Sequence, residues 1–181
     1  MNSLIERHDN WRIALGDVDS SAIFDARESW REVGLSGVRV AGAAEVSVSI
    51  EVLQFGGGLT PRALIGANFV PGGCELVLEV HSSGPMTLGV PRECPSLLGS
   101  PFVAGLPTEF VPSIIDVCRE MASKVELPAG TLNVYAAGYD EENSSSHAFA
   151  RAGAVLLWVV RRRVLTPTEP ELGFADLTAI W

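Results

Sequence analysis

The chain has 181 residues, 47% of them hydrophobic and 19% charged, which excludes a wholly disordered polypeptide and suffices for one domain with its own core. Thirteen basic and 22 acidic side chains give a formal net charge of −9. That is the opposite of the basic surface needed to displace counterions from nucleic acid, so binding to nucleic acid through overall charge is not expected.

The first eleven residues carry charges where a secretory signal needs an apolar run. The longest strongly apolar stretch, Ala152 to Val160, is bracketed by Arg151 and Arg161 and falls well short of the roughly 20 residues of a spanning helix. A cytoplasmic protein without membrane contact is expected. Residues 11–18 read as a short strand. Ser20 and Ser21 then precede Ile23, Phe24, Trp30 and Val33, an apolar stripe that predicts a helix capped by the serines and stopped by Gly34.

Residues 45–52 alternate strictly. Val46, Val48, Ile50 and Val52 point one way and Glu45, Ser47, Ser49 and Glu51 the other, the period of a half-buried strand. Residues 63–70 and 74–81 are two further strand candidates, and Pro71-Gly72-Gly73 between them predicts a turn joining neighbouring antiparallel partners. The stretch from Ser82 to Pro107 is rich in Pro and Gly and reads as loop with short extended pieces.

Pro112 fits a helix's first turn, where its missing N–H costs nothing; Ile114, Ile115, Cys118 and Met121 form that helix's apolar face. Leu132 to Tyr135 alternates as a strand. Asp140-Glu141-Glu142 forms an acidic loop. Asn143 and Ser144 then offer caps for a second helix running to about Arg162, with Ala148, Phe149, Ala152, Val155, Leu156 and Val159 inward. The tail from Thr166 ends with apolar residues that include Phe174 and Trp181. This divides the chain into an N-terminal extension packed on the core (1–37), a central domain (38–163) and a tail (164–181).

Catalytic signals are sparse. Cys74, Cys94 and Cys118 have neither zinc nor redox spacing and read as buried free thiols. His147 beside Ser144, Ser145 and Ser146 is read as part of a helix cap, because adjacency at a helix start does not by itself give a nucleophile and a base their geometry. Arg161-Arg162-Arg163 suits a helix C-terminus, where cations complement the dipole. No metal site or cofactor is expected.

Two segments carry a family resemblance. Phe102-Val-Ala-Gly-Leu-Pro-Thr-Glu-Phe-Val-Pro-Ser-Ile-Ile-Asp116 and Asn143-Ser-Ser-Ser-His-Ala-Phe-Ala-Arg-Ala152 resemble, in this order, a strand end with helix entry and a helix start in domain IV of the translation elongation factor G family. The resemblance spans roughly residues 38–163. It implies the ribosomal protein S5 domain 2-like fold: an α+β domain with a four-stranded or slightly larger sheet, two helices on one face and a left-handed crossover. It does not extend to a GTPase domain, because no phosphate-loop motif is present. Where the family carries a His before its Asp-Ser-Ser cap, this chain has Asp140, followed by Glu141 and Glu142. Three carboxylates there repel phosphate. The glycine-rich loop of the family has its counterpart in Gly56 to Arg62.

The reading that follows is a non-enzymatic protein that binds a protein partner through Arg62, Asp140, Glu141, Glu142, Phe174 and Trp181. The alternatives are a translation-associated factor acting at the ribosome and a small enzyme with an unrecognised pocket.

Overall fold

The computed structural model describes residues 4–8, 10–56, 58, 60–86 and 92–167. Its elements in chain order are β1 (Leu4–His8), β2 (Trp11–Gly16), β3 (Glu28–Ser36), β4 (Val46–Gln54), β5 (Arg62–Pro71), β6 (Glu75–Ser82), β7 (Glu93–Cys94), β8 (Phe102–Ala104), α1 (Val111–Lys124), β9 (Gly130–Tyr139) and α2 (Ser146–Leu165), with single 3₁₀ turns at Ser20–Ala22 and Thr108–Phe110. The fold is α+β. Among the described residues, one mixed sheet of nine strands runs in the order β1-β2-β4-β5-β9-β6-β3, with β8 paired to β9 and β7 to β8. Only the β6–β9 pairing is parallel among the described strands.

The sheet is larger than the sequence predicts, because residues 4–36 supply three of its strands: β1 and β2 extend one side beyond β4, and β3 pairs with β6 at the other edge. The helix expected from Ser20 is a correction. Ser20–Ala22 is one 3₁₀ turn whose cap is Asp19, which accepts from the Ser21 amide at 2.7 Å. The residues after it form β3, so backbone pairing with β6 overrides the weak apolar stripe. Gly34, read as a helix stop, lies in the bulge between Glu32 and Leu35 with φ of 77°, a conformation open to glycine.

A second correction concerns β5 and β6. The Pro71-Gly72-Gly73 segment does not join paired strands, because β9 lies between them, antiparallel to β5 and parallel to β6. Leu132, Val134, Ala136 and Ala137 of β9 are all fully buried, which suits a strand covered on both faces.

Both helices lie on one face of the sheet. There, Val48, Ile50 and Val52 of β4, Ile65 and Phe69 of β5, and Leu132 and Val134 of β9 join a single apolar core with Ile114 and Cys118 of α1 and Phe149, Val155 and Leu156 of α2. Val46, expected to point inward with Val48, Ile50 and Val52, belongs to the same core, as do Leu76 and Leu78 of β6. Phe149 stacks on Phe110 with ring centroids 4.7 Å apart, pinning the start of α2 to the entry of α1. The α2 cap is Ser145, one residue beyond the expected pair; its hydroxyl accepts from the Ala148 amide at 3.2 Å. Arg162 and Arg163 fall in the last turn of α2. Cys94 and Cys118 are buried, whereas Cys74 is exposed just after the β5–β6 turn, which corrects the expectation of three buried thiols. No helix among the described residues is long and apolar enough to cross a membrane.

Candidate functional site

The face of the sheet opposite the helices carries the polar and small residues. Register places Ala14 of β2 beside Glu51 of β4, Glu51 beside Leu64 of β5, and Gly66 of β5 beside Ala136 of β9. Arg62 lies on the same face, one diagonal step from Glu51. The segment containing β7 and β8 folds over this face, packing Cys94 and Phe102 against Leu64 and Ala136.

Arg62 is therefore only 3% exposed, and Glu51 only 2%. This corrects both readings: neither the partner-facing role assigned to Arg62 nor the solvent-facing position assigned to Glu51 by alternation survives, since the 93–104 segment covers them. The Arg62 guanidinium sits 3.8 Å over the Phe102 ring and donates to the hydroxyl and carbonyl of Ser100 at 2.7 and 2.6 Å. It lies 3.6 Å from Glu51 and 3.7 Å from Asp140, while its Nε is buried without a partner. Desolvation lowers the Arg62 pKa, opposed by the charges of Glu51 and Asp140. Glu51 accepts from the Ser96 hydroxyl at 2.6 Å and from the Leu97 amide at 2.7 Å. The ion pair thus fastens the covering segment at two places, Ser96–Leu97 and Ser100.

The acidic loop divides into two parts. One Asp140 carboxylate oxygen accepts from the amides of Glu142 and Asn143 and from the Asn143 side chain, at 2.9 to 3.1 Å. The other oxygen faces Arg62. Asp140 is thus an internal clamp rather than a free surface charge. Ser144 secures the same turn, donating to the Arg62 carbonyl at 2.8 Å and accepting from the Asp140 amide at 2.9 Å. Glu141 and Glu142 are exposed on the clamped turn. Phe174 and Trp181 lie outside the described residues.

His147 is exposed, and its ring meets Trp11 edge-on at 5.7 Å. Desolvation and the neighbouring Arg151 lower its pKa. Ser144 and Ser145 are engaged in the turn and the helix cap. The Cys94 thiol is pushed up to about 11 by burial and nearby carboxylates, and the Cys118 thiol up to about 12 by burial alone, which keeps both protonated and unreactive. Among the described residues no group of His, Cys, Asp and Glu is arranged to hold a metal ion.

Next to Glu51 lies a cavity of about 250 Å³. Its floor is the small-residue part of the sheet face: Ala14, Gly16, Gly66 and Ala136, with Leu64. One wall is the segment from Asp17 to Ala22, the other is Pro95 and Leu97. Sequence reasoning missed this feature. Its signal was the coincidence of Gly16, Gly66 and Ala136, which becomes meaningful only once register sets β2, β4, β5 and β9 side by side. Comparisons with protein-family models, curated proteins and solved structures found no match for this chain.

Proposed function

We propose that the chain is a non-enzymatic binding protein that recognises a basic protein partner through the acidic turn after β9, with apolar anchoring from the tail that contains Phe174 and Trp181. The observation that carries this reading is the inward clamp at Asp140. It holds Glu141 and Glu142 outward on a preorganised turn, so less conformational freedom is lost on binding. The net charge of −9 adds long-range attraction for a basic surface.

We also propose that the scaffold is of the ribosomal protein S5 domain 2-like type, as in domain IV of the elongation factor G family. The supporting features are the succession β4, β5, β6, α1, β9, α2, with the short β7 and β8 inserted between β6 and α1, and the two helices on one face.

The test begins with capture of a stoichiometric partner by the 181-residue chain and continues with binding kinetics at two salt concentrations. Glu141→Ser with Glu142→Ser slows association several-fold and flattens its salt dependence, because exposed charges act mainly through steering. Deleting residues 172–181 instead speeds dissociation. Unchanged rates in both variants would refute this surface. Tight, stoichiometric co-sedimentation with ribosomes would replace it with the translation-associated reading.

A further inference from the structure

We infer that the cavity on the helix-free face of the sheet is a binding site for a small organic amine, a hydrocarbon body of about one ring carrying an ammonium group. The inference goes beyond the proposed partner surface and is independent of it. The size fits: an apolar cavity of about 150 Å³ already takes a benzene ring, and this one measures about 250 Å³, leaving room for a ring and a short side chain. The body of the ligand rests on Ala14, Gly16, Leu64 and Ala136, under Leu97, which is 49% exposed and stands at the opening.

Charge selects the head group. Among the described residues, every ionisable one that lines the cavity is acidic: Asp17, Asp19 and Glu51. Glu51 is compensated by Arg62, which does not line the space, and Arg92 is turned to the carbonyls of Ser20 and Ile23. Asp17 and Asp19 are exposed at the cavity edge. Hydrogen bonds from the Ser21 amide and hydroxyl hold Asp19 in its charged form. An amine therefore places its ring on the apolar floor and its ammonium group toward Asp17 and Asp19, where it keeps part of its hydration. An anion of the same shape meets carboxylates alone.

The cavity also has a filling position that need not disturb the fold. A Cβ added at Gly16 meets Ser49 at 3.5 Å and Leu97 at 3.7 Å, both ordinary contacts, and Gly16 is not among the glycines with positive φ. Gly66 offers no such room, because its Cβ would lie 3.0 Å from Ala136 and 3.2 Å from Val18.

The experiment titrates the 181-residue chain with 2-phenylethylamine, phenylacetate and 2-phenylethanol, read by calorimetry and by amide chemical shifts. The amine is expected to bind saturably, shifting the Gly16, Gly66 and Ala136 amides, about tenfold more tightly than phenylacetate, the gain of two partly screened ion pairs. Gly16→Leu should abolish binding while leaving the melting temperature within a few degrees. Asp17→Asn with Asp19→Asn keeps the oxygen that accepts from Ser21; it should weaken the amine about tenfold and leave 2-phenylethanol unchanged. Absence of saturable amine binding, equal binding of phenylacetate, or full affinity in a folded Gly16→Leu protein would each overturn the site. An amine affinity indifferent to the double Asn exchange would overturn the assignment of the head group. If Gly16→Leu fails to fold, the double Asn exchange and the three-ligand comparison decide the outcome.

Discussion

Replacing Arg62 with Met tests whether the covering segment is fastened by the buried charges. The substitution retains a flexible apolar stem over Phe102 but removes the guanidinium, leaving Glu51 at 2% exposure without its cation. Breaking a buried pair by deleting one partner costs about 3–5 kcal/mol. Here the low end applies, because Glu51 keeps its donors from Ser96 and Leu97 and the exposed Ser100 can turn to water. The expected loss is about 3 kcal/mol, a fall of about 6–12 °C in melting temperature for a chain of this size. Glu51→Met should cost about 2–3 kcal/mol, since Arg62 retains Asp140 and Ser100. The double variant Arg62→Met, Glu51→Met should cost less than the sum of the two by at least about 1 kcal/mol, because neither charge is then left buried alone. Urea unfolding followed by tryptophan fluorescence measures all three. A loss under about 1 kcal/mol for Arg62→Met, or strict additivity in the cycle, would refute the claim that the pair holds this face closed.

Phe149→Ala should cost about 3–5 kcal/mol, since the ring is fully buried and stacked on Phe110; denaturant unfolding checks this. A thiol reagent should label Cys74 at once in the native protein and reach Cys94 and Cys118 only on unfolding, as mass spectrometry after timed quenching would show. His147 should titrate below the usual 6.5 of an exposed imidazole, with Arg151→Gln moving its midpoint upward, followed by NMR. Its folded pKa is lowered, so the folded state binds fewer protons than the unfolded. Its contribution is therefore neutral well above pH 6.5 and destabilising as the pH falls through and below that value.

The sequence by itself determined what depends on near neighbours. The alternation at residues 46–52 gives β4, and its inward residues Val48, Ile50 and Val52 are all fully buried. Pro112 and the serines before Ala148 mark the starts of α1 and α2, because capping and the 3.6-residue stripe act within a few residues. The tertiary structure decided what depends on distant partners. Residues 28–36 have no strong local preference and become a strand because β6 presents an edge. Glu51 alternates as a surface residue should, yet is buried because Arg62, eleven positions away, faces it and a Pro- and Gly-rich segment closes over both. The cavity has the same origin: Gly16, Gly66 and Ala136 are unremarkable one by one, and only the register of β2, β4, β5 and β9 gathers them into one floor. Strand pairing is non-local, so its partners and the second face they create cannot be read from any short stretch of chain.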